Sequence, residues 1–137
     1  MDASFLIKCV DEVYDVIIKN EKEIESLDRA IGDGDHFINL KRGCIAVQSI
    51  KGELLPLNNS QIFQKIGMKI LSTVGGASGP LFATFFLEIS KTIKDSSDEL
   101  HNFCEGFFLA VNAIKQRGKS DIGQKTMLDV LIPVAET

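Results

Sequence analysis

Tryptophan is absent from this chain, and histidine (2), tyrosine (1), proline (3) and cysteine (3) are scarce among its 137 residues. Two histidines cannot build a histidine-rich metal centre, and the missing indole removes the best stacking platform for bases. Cys9, Cys44 and Cys104 are widely spaced, each among apolar neighbours, and no Cys-x-x-Cys pair exists to hold zinc or exchange disulfides. Three buried, reduced thiols are expected. Basic runs are lacking too: 15 Lys plus Arg against 19 Asp plus Glu leave a formal net charge of -4, which repels a phosphate backbone, so nucleic acid is not an expected partner. The apolar runs fall well short of the roughly 20 residues that a membrane span needs. Asp2 and Lys8, in or beside the short apolar start, do not suit a secretory signal. A cytoplasmic protein with no membrane partner is expected.

What is present is helical periodicity. Hydrophobic residues make up 45% of the chain and charged residues 25%, enough for one domain over residues 1–137 that buries about two-thirds of its unfolded surface. Phe5, Leu6, Cys9, Val10, Val13, Tyr14, Ile17 and Ile18 paint one stripe on a first helix. A second helix is expected from about His36 to Ser49. A third, capped by Asn59 or Ser60, carries Ile62, Phe63, Ile66, Ile70, Leu71 and Val74. Pro80 suits the first turn of a fourth helix, with Leu81, Phe82, Phe85, Phe86, Ile89 and Ile93 on its apolar face. Ser96 to Glu99 has the spacing of a capping box opening a fifth, and Met127, Val130, Leu131 and Val134 suggest a sixth, interrupted by Pro133. No stretch alternates with period two, so the expected fold is all-α, an antiparallel up-and-down bundle or barrel of about six helices. Eight of the nine phenylalanines lie on the expected apolar faces, and the ninth is Phe37.

Two loops exceed what a bundle requires. Residues 27–36 place Asp28, Asp33 and Asp35 in a D-x4-D-x-D spacing, with Gly32 and Gly34 allowing sharp bends. If the bends gather the carboxylates, they repel one another unless a hard cation such as magnesium sits among them. The alternative is turn chemistry, with Asp35 capping the helix from His36. An EF-hand is excluded, because Ile38 stands where its loop requires glycine. The second loop, residues 72–80, puts small residues and backbone N–H groups at a helix start, a seat for an anion. It lacks the Gly-Lys-Ser/Thr ending of a Walker A loop, and no strand precedes it as in a Rossmann turn. Gly-Gly also serves as a helix C-cap followed by a tight turn. His36 and Asn39 share a helix face directly after the acidic loop, and Arg117, Lys119 and Lys125 surround the last loop.

Together these segments resemble the nucleotide-binding L subunit of dihydroxyacetone kinase. The resemblance is carried by residues 27–36 with Asn39 and Arg42-Gly43, by Gly67-Met68 with residues 71–82, and by residues 117–119 with Gly123 and residues 125–129, in order over nearly the whole chain. It implies an all-α barrel with ADP or ATP at one end and two magnesium ions held by Asp28, Asp33 and Asp35. It further implies that His36, Phe37, Ile38, Asn39, Gly76, Ala77 and Ser78 contact the phosphates, and that Gly118 and Met127 border the nucleoside. The implied activity is transfer of a phosphoryl group to dihydroxyacetone held on a K subunit, with rephosphorylation by a phosphohistidine-bearing M subunit of the phosphotransferase system. Against the family pattern the chain ends early, at Thr137, so a C-terminally truncated L-type chain lacking one wall of the pocket is expected. Phe37 replaces a usual glycine, and Gln124 a usual acidic residue. The rival expectation is a non-catalytic module that docks a partner, such as a transcriptional regulator. A third is a remnant with unpaired apolar faces, which self-associates into a homo-oligomer.

Overall fold

The computed structural model describes residues 3–93 and 98–137, and among them every regular element is a helix. The order is α1 (Ala3–Lys19), α2 (Glu21–Ile31), α3 (His36–Gln48), α4 (Lys51–Leu54), α5 (Asn59–Thr73), α6 (Ser78–Thr92), α7 (Glu99–Gly118) and α8 (Leu128–Glu136). The expected six helices are all present. Two more were not anticipated: α2, whose sparse apolar residues Ile24, Leu27 and Ile31 are diluted by charge, and the single turn α4, too short at four residues to show a period.

Helix ends follow local chemistry. α5 is capped by Asn58, one residue before the expected Asn59 or Ser60, in a reciprocal box: the Asn58 side chain accepts from the Gln61 N–H at 2.9 Å and the Gln61 side chain accepts from the Asn58 N–H at 3.1 Å. At the start of α7 the Asp98 carboxylate accepts from the His101 N–H at 3.3 Å, while Ser96 of the expected capping box lies outside the described residues. α8 continues through Pro133 rather than breaking there. Leu131, Ile132 and Ala135 flank the proline and pack on the core, and that packing holds the turn despite a missing N–H.

α5, α6 and α7 form an antiparallel layer. The Ser60 hydroxyl donates to the Ser90 carbonyl at 2.6 Å, Gly67 lies against Leu87 and Ala83, and Val74 meets Gly79. On the other side Gly106 lies against Ile89 and Thr92, and Phe107 meets Phe85 edge-on at 5.3 Å. Cβ atoms at Gly67 and Gly106 would collide with the facing helix, so these glycines set the closeness of the layer. α3 crosses α5 and α6, α1 and α2 rest on α3, and α8 closes on α7.

The core runs continuously along this layer. Val47, Ile50, Leu54, Ile62, Ile66, Ile70, Val74 and Ala83 form one cluster; Phe63, Ile89, Ile93 and Ala110 a second; Val111, Ile114 and Leu128 a third. Each of the fully buried aliphatics Leu54, Ile62, Ile89, Ile114 and Leu128 contributes about 1.5–3 kcal/mol of transfer free energy.

Three expectations about burial are corrected. Cys104 is exposed, because the 3.6-residue period turns Leu100, Cys104 and Phe108 to the outer face of α7 while Phe103, Phe107, Ala110 and Ile114 face inward. Cys9 and Cys44 are half-buried, and desolvation pushes the Cys44 thiol pKa up. Phe5 is also exposed, whereas Phe37, the phenylalanine outside the expected stripes, is buried with 2% of its surface accessible.

Candidate functional site

The acidic loop links the end of α2 to the start of α3. Gly34 takes a φ of 80°, a left-handed conformation that glycine adopts freely, and the bend folds the loop back on itself. One carboxylate oxygen each from Asp28, Asp33 and Asp35 then lies within 4.8 Å of the others. The half-buried Asp28 accepts from the His36 backbone N–H at 3.1 Å, which ties the C-terminal turn of α2 to the first turn of α3. Asp33 and Asp35 are exposed. Asp35 occupies the N-cap position of α3 without a capping hydrogen bond; its Oδ2 accepts instead from the Asn39 side-chain nitrogen at 2.9 Å. Helix capping by Asp35 therefore does not explain this loop, since the distant Asp28 supplies the cap contact.

The glycine loop between α5 and α6 passes directly over α3. Gly43 makes room for it: a Cβ there would lie 2.9 Å from Val74 Cγ2, and one on Gly79 would overlap the Val74 carbonyl. Gly76, at φ 68°, lies against Asn39 and Asp35, where its Cβ would be 3.4 Å from Asn39 Nδ2 and 3.8 Å from Asp35 Oδ2. The acidic and glycine loops are thus in contact, although 37 residues of chain separate Asn39 from Gly76. α3 and α6 both begin here, so the positive ends of two helices meet beside the carboxylates, one of which, Asp28, takes the His36 N–H. Gly76 and Ala77 are exposed and Ser78 half-buried, leaving this backbone open to a ligand. Pro80 lacks an N–H where none would be satisfied within the helix.

The third motif reaches the same end through α6. A Cβ on Gly118 would stand 3.6 Å from Leu81 Cδ2, and Met127 packs with Leu81 on the third core cluster. Between them the loop 119–127 carries two non-glycine residues at positive φ, Lys119 (50°) and Lys125 (57°). Asp129 organises this loop: its carboxylate accepts from the Gly123 N–H and from the Thr126 N–H, the latter at 2.9 Å, and these bonds, the Gly123 one foremost, hold its pKa below the ordinary carboxylate value. Lys115 pairs with Asp121 at 2.6 Å on the outer side. A cleft of about 400 Å³ between α7, this loop and α8 contains none of the expected site residues.

Among the expected contacts, Asp28, Asp33, Asp35, Asn39 and Gly76 are brought together, and His36, Ala77 and Ser78 adjoin them in the chain. Ile38 is exposed, whereas the Phe37 ring turns inward with Lys41 Nζ 5.7 Å from its centroid. Gly118 lies beside Leu81, and Met127 packs on the core cluster that Leu81 also covers. The anchoring roles of Asn39 and Asp129 were not anticipated; the placement of Asp35, Asn39 and Arg42 at i, i+4 and i+7 is the signal that could have found the first.

A helical frame sets a cluster of three carboxylates beside a glycine-lined helix start; the DAK2 domain model matches residues 30–137, and the chain belongs to that family. Its relatives are more particular. It is 35% identical over 133 residues to the ADP-binding subunit DhaL of PEP-dependent dihydroxyacetone kinase 1 of Listeria innocua, covering 97% of this chain and 67% of that protein. It is 38% identical over 136 residues to the corresponding ADP-binding subunit DhaL of Escherichia coli, covering 98% of this chain and 62% of that one. The crystal structure of the dihydroxyacetone kinase from C. freundii in complex with AMP-PNP and Mg2+ superposes with a TM-score of 0.83 at 25% identity, over 97% of this chain and 24% of that chain. This chain therefore spans about two-thirds of the length of the bacterial subunits it resembles. Among the described residues no helix is long and apolar enough to cross a membrane.

Proposed function

We propose that this chain, as one cytoplasmic domain, is an ADP/ATP–magnesium-binding L-type subunit of a dihydroxyacetone kinase. The observation that carries the reading is the contact between three clustered carboxylates and a glycine loop at a helix start, a donor set of hard oxygens beside backbone N–H groups. Asp28, Asp33 and Asp35 fit magnesium, since carboxylate oxygens suit hard cations and the remaining positions are left to phosphate oxygens and water. Two ions are assigned there, as in the family resemblance. Bound magnesium supplies neutralisation of the phosphate charge and alignment of the transferring group.

The protein's own part is to bind and orient. Residues 36–39 and 76–78 line the place of the phosphates, where the N-termini of α3 and α6 favour negative charge; the His36 N–H itself is given to Asp28 and the Asn39 N–H to the Asp35 carbonyl. Gly118 and Met127 border the nucleoside, with Met127 offering a polarisable apolar surface to the base. No nucleophilic side chain is required, because the phosphoryl group passes to dihydroxyacetone on a partner K subunit. Rephosphorylation of bound ADP by a phosphohistidine-bearing M subunit is supported by the names of the bacterial relatives, which are PEP- or PTS-dependent.

A second reading, docking of a partner without turnover, is favoured by the outward stripe of Leu100, Cys104 and Phe108 on α7. Calorimetric titration with ADP, in magnesium and again in EDTA, separates the two. Magnesium-dependent binding that Asp33→Ala abolishes, with the helical circular dichroism unchanged, supports the kinase subunit, and phosphoryl transfer on adding the K subunit completes it. Absence of binding in both conditions overturns it and leaves the docking module.

A further inference from the structure

Asn39 is one of the two uncharged polar residues buried among the described residues, with 5% of its surface accessible, and it stands where the two loops meet. Its Nδ2 donates to Asp35 Oδ2 at 2.9 Å, while its Oδ1 accepts from Arg42 Nη1 at 3.4 Å. Those two partners fix the orientation of the amide, nitrogen toward the carboxylate and oxygen toward the guanidinium. The same amide flanks the glycine loop, with its Nδ2 3.4 Å from the Cβ position of Gly76 and its Oδ1 3.9 Å from that of Gly75.

We propose that Asn39 is a positioning residue for the metal seat: it occupies one oxygen of Asp35, leaves the other to a divalent cation, and couples the seat to the glycine loop. An asparagine side chain suits this place for a chemical reason. It donates to a carboxylate and accepts from a guanidinium at once, whereas an aspartate would set charge against Asp35 and a leucine of similar size would leave that oxygen free to turn. Arg42, exposed on the next turn, holds the amide in register. This role adds to the phosphate contact assigned to residues 36–39, and it rests on the reading of Asp28, Asp33 and Asp35 as metal ligands.

The test uses Mn2+ as the probe, titrated into the full chain by calorimetry and by its paramagnetic resonance signal, followed by ADP with and without Mn2+. Asn39→Leu is expected to weaken Mn2+ binding about tenfold when the metal is titrated without nucleotide, and to lose the enhancement of ADP binding by metal. Arg42→Leu, an exposed change that does not endanger folding, is expected to give a smaller loss of about threefold in the same direction. A role confined to stability would instead lower ADP affinity equally with and without metal, in step with the melting temperature, and that result overturns the proposal. Equal Mn2+ affinity in Asn39→Leu and wild type overturns it while leaving the nucleotide reading intact. Wild-type binding of Mn2+ but not ADP, with the Asn39→Leu loss still present, sinks the nucleotide reading and upholds Asn39. No Mn2+ binding by the wild-type chain overturns both.

Discussion

Asp28 Oδ2 accepts the backbone N–H of His36 at 3.1 Å, so a carboxylate from the last turn of α2 closes the first turn of α3. The same residue belongs to the carboxylate cluster. Two substitutions separate these duties. Asp28→Asn keeps an acceptor oxygen and is expected to retain stability within about 0.5 kcal/mol while losing metal-dependent ADP binding. Asp28→Ala loses both, and its unfolding free energy in urea is expected to drop by about 1 kcal/mol, the usual worth of a helix N-terminal contact. Equal stability of the two variants would remove the tie between α2 and α3 from the account.

Gly76 stands at φ 68°, against Asn39 and Asp35. Gly76→Ala is expected to cost about 1–2 kcal/mol from left-handed strain and, by shifting the loop to relieve it, to weaken ADP binding. Gly52 is the control. It lies in the single turn α4 with nothing near its Cβ position, and Gly52→Ala is expected to be neutral or to stabilise by about 0.5 kcal/mol. Denaturant midpoints of the two variants check both expectations, and a Gly76→Ala protein as stable as wild type would count against the loop conformation.

The carboxylate of Asp129, with its pKa held down by N–H bonds from Gly123 and Thr126, makes stability depend on acidity. A depressed native pKa contributes stability that is fully present above the unfolded value near 4 and is lost as pH falls through the lower native value. Asp11 acts in the same sense through its bonds from Lys51 and Gln48. Thermal unfolding followed from pH 6 to about pH 2 is therefore expected to show melting temperatures falling below about pH 4, with Asp129→Ala showing a shallower fall. Identical slopes in the two proteins would dissociate Asp129 from the effect.

Much of this architecture was legible before the structure. Long stripes such as Ile62 to Val74 and Leu81 to Ile93 carry a strong period, and packing of α5 on α6 follows it. α2 escaped because eleven residues with three spaced aliphatics among charges read as surface; its place comes from the Asp28–His36 tie, which no local pattern reports. Pro133 misled for the opposite reason, since tertiary packing outweighed a local helix breaker. In the candidate site, Asp28, Asp33 and Asp35 were marked by spacing and proved to be neighbours. That Gly76 meets Asn39 depends on how α5 and α6 lie across α3, a relationship between distant segments that composition and periodicity do not encode. The inward turn of Phe37 was hidden for the same reason.

α1 spans 17 residues without one fully buried side chain. Ala3, Leu6, Ile7 and Val10 only lean on the first core cluster, and the Lys51–Asp11 pair at 2.6 Å with the Gln48–Asp11 bond at 3.1 Å fastens its middle to α3 and α4. The α5–α7 layer, by contrast, owns most of the sealed interior. The free-energy cost of opening is therefore expected to be unequal along the chain: α1 gives up only partly wet contacts on peeling away, while opening α5 or α6 exposes the buried clusters, so their amides are expected to exchange the slowest. The glycine loop joins α5 to α6 on the stable side, whereas the acidic loop is held between α3 and α2, a helix that buries no side chain fully.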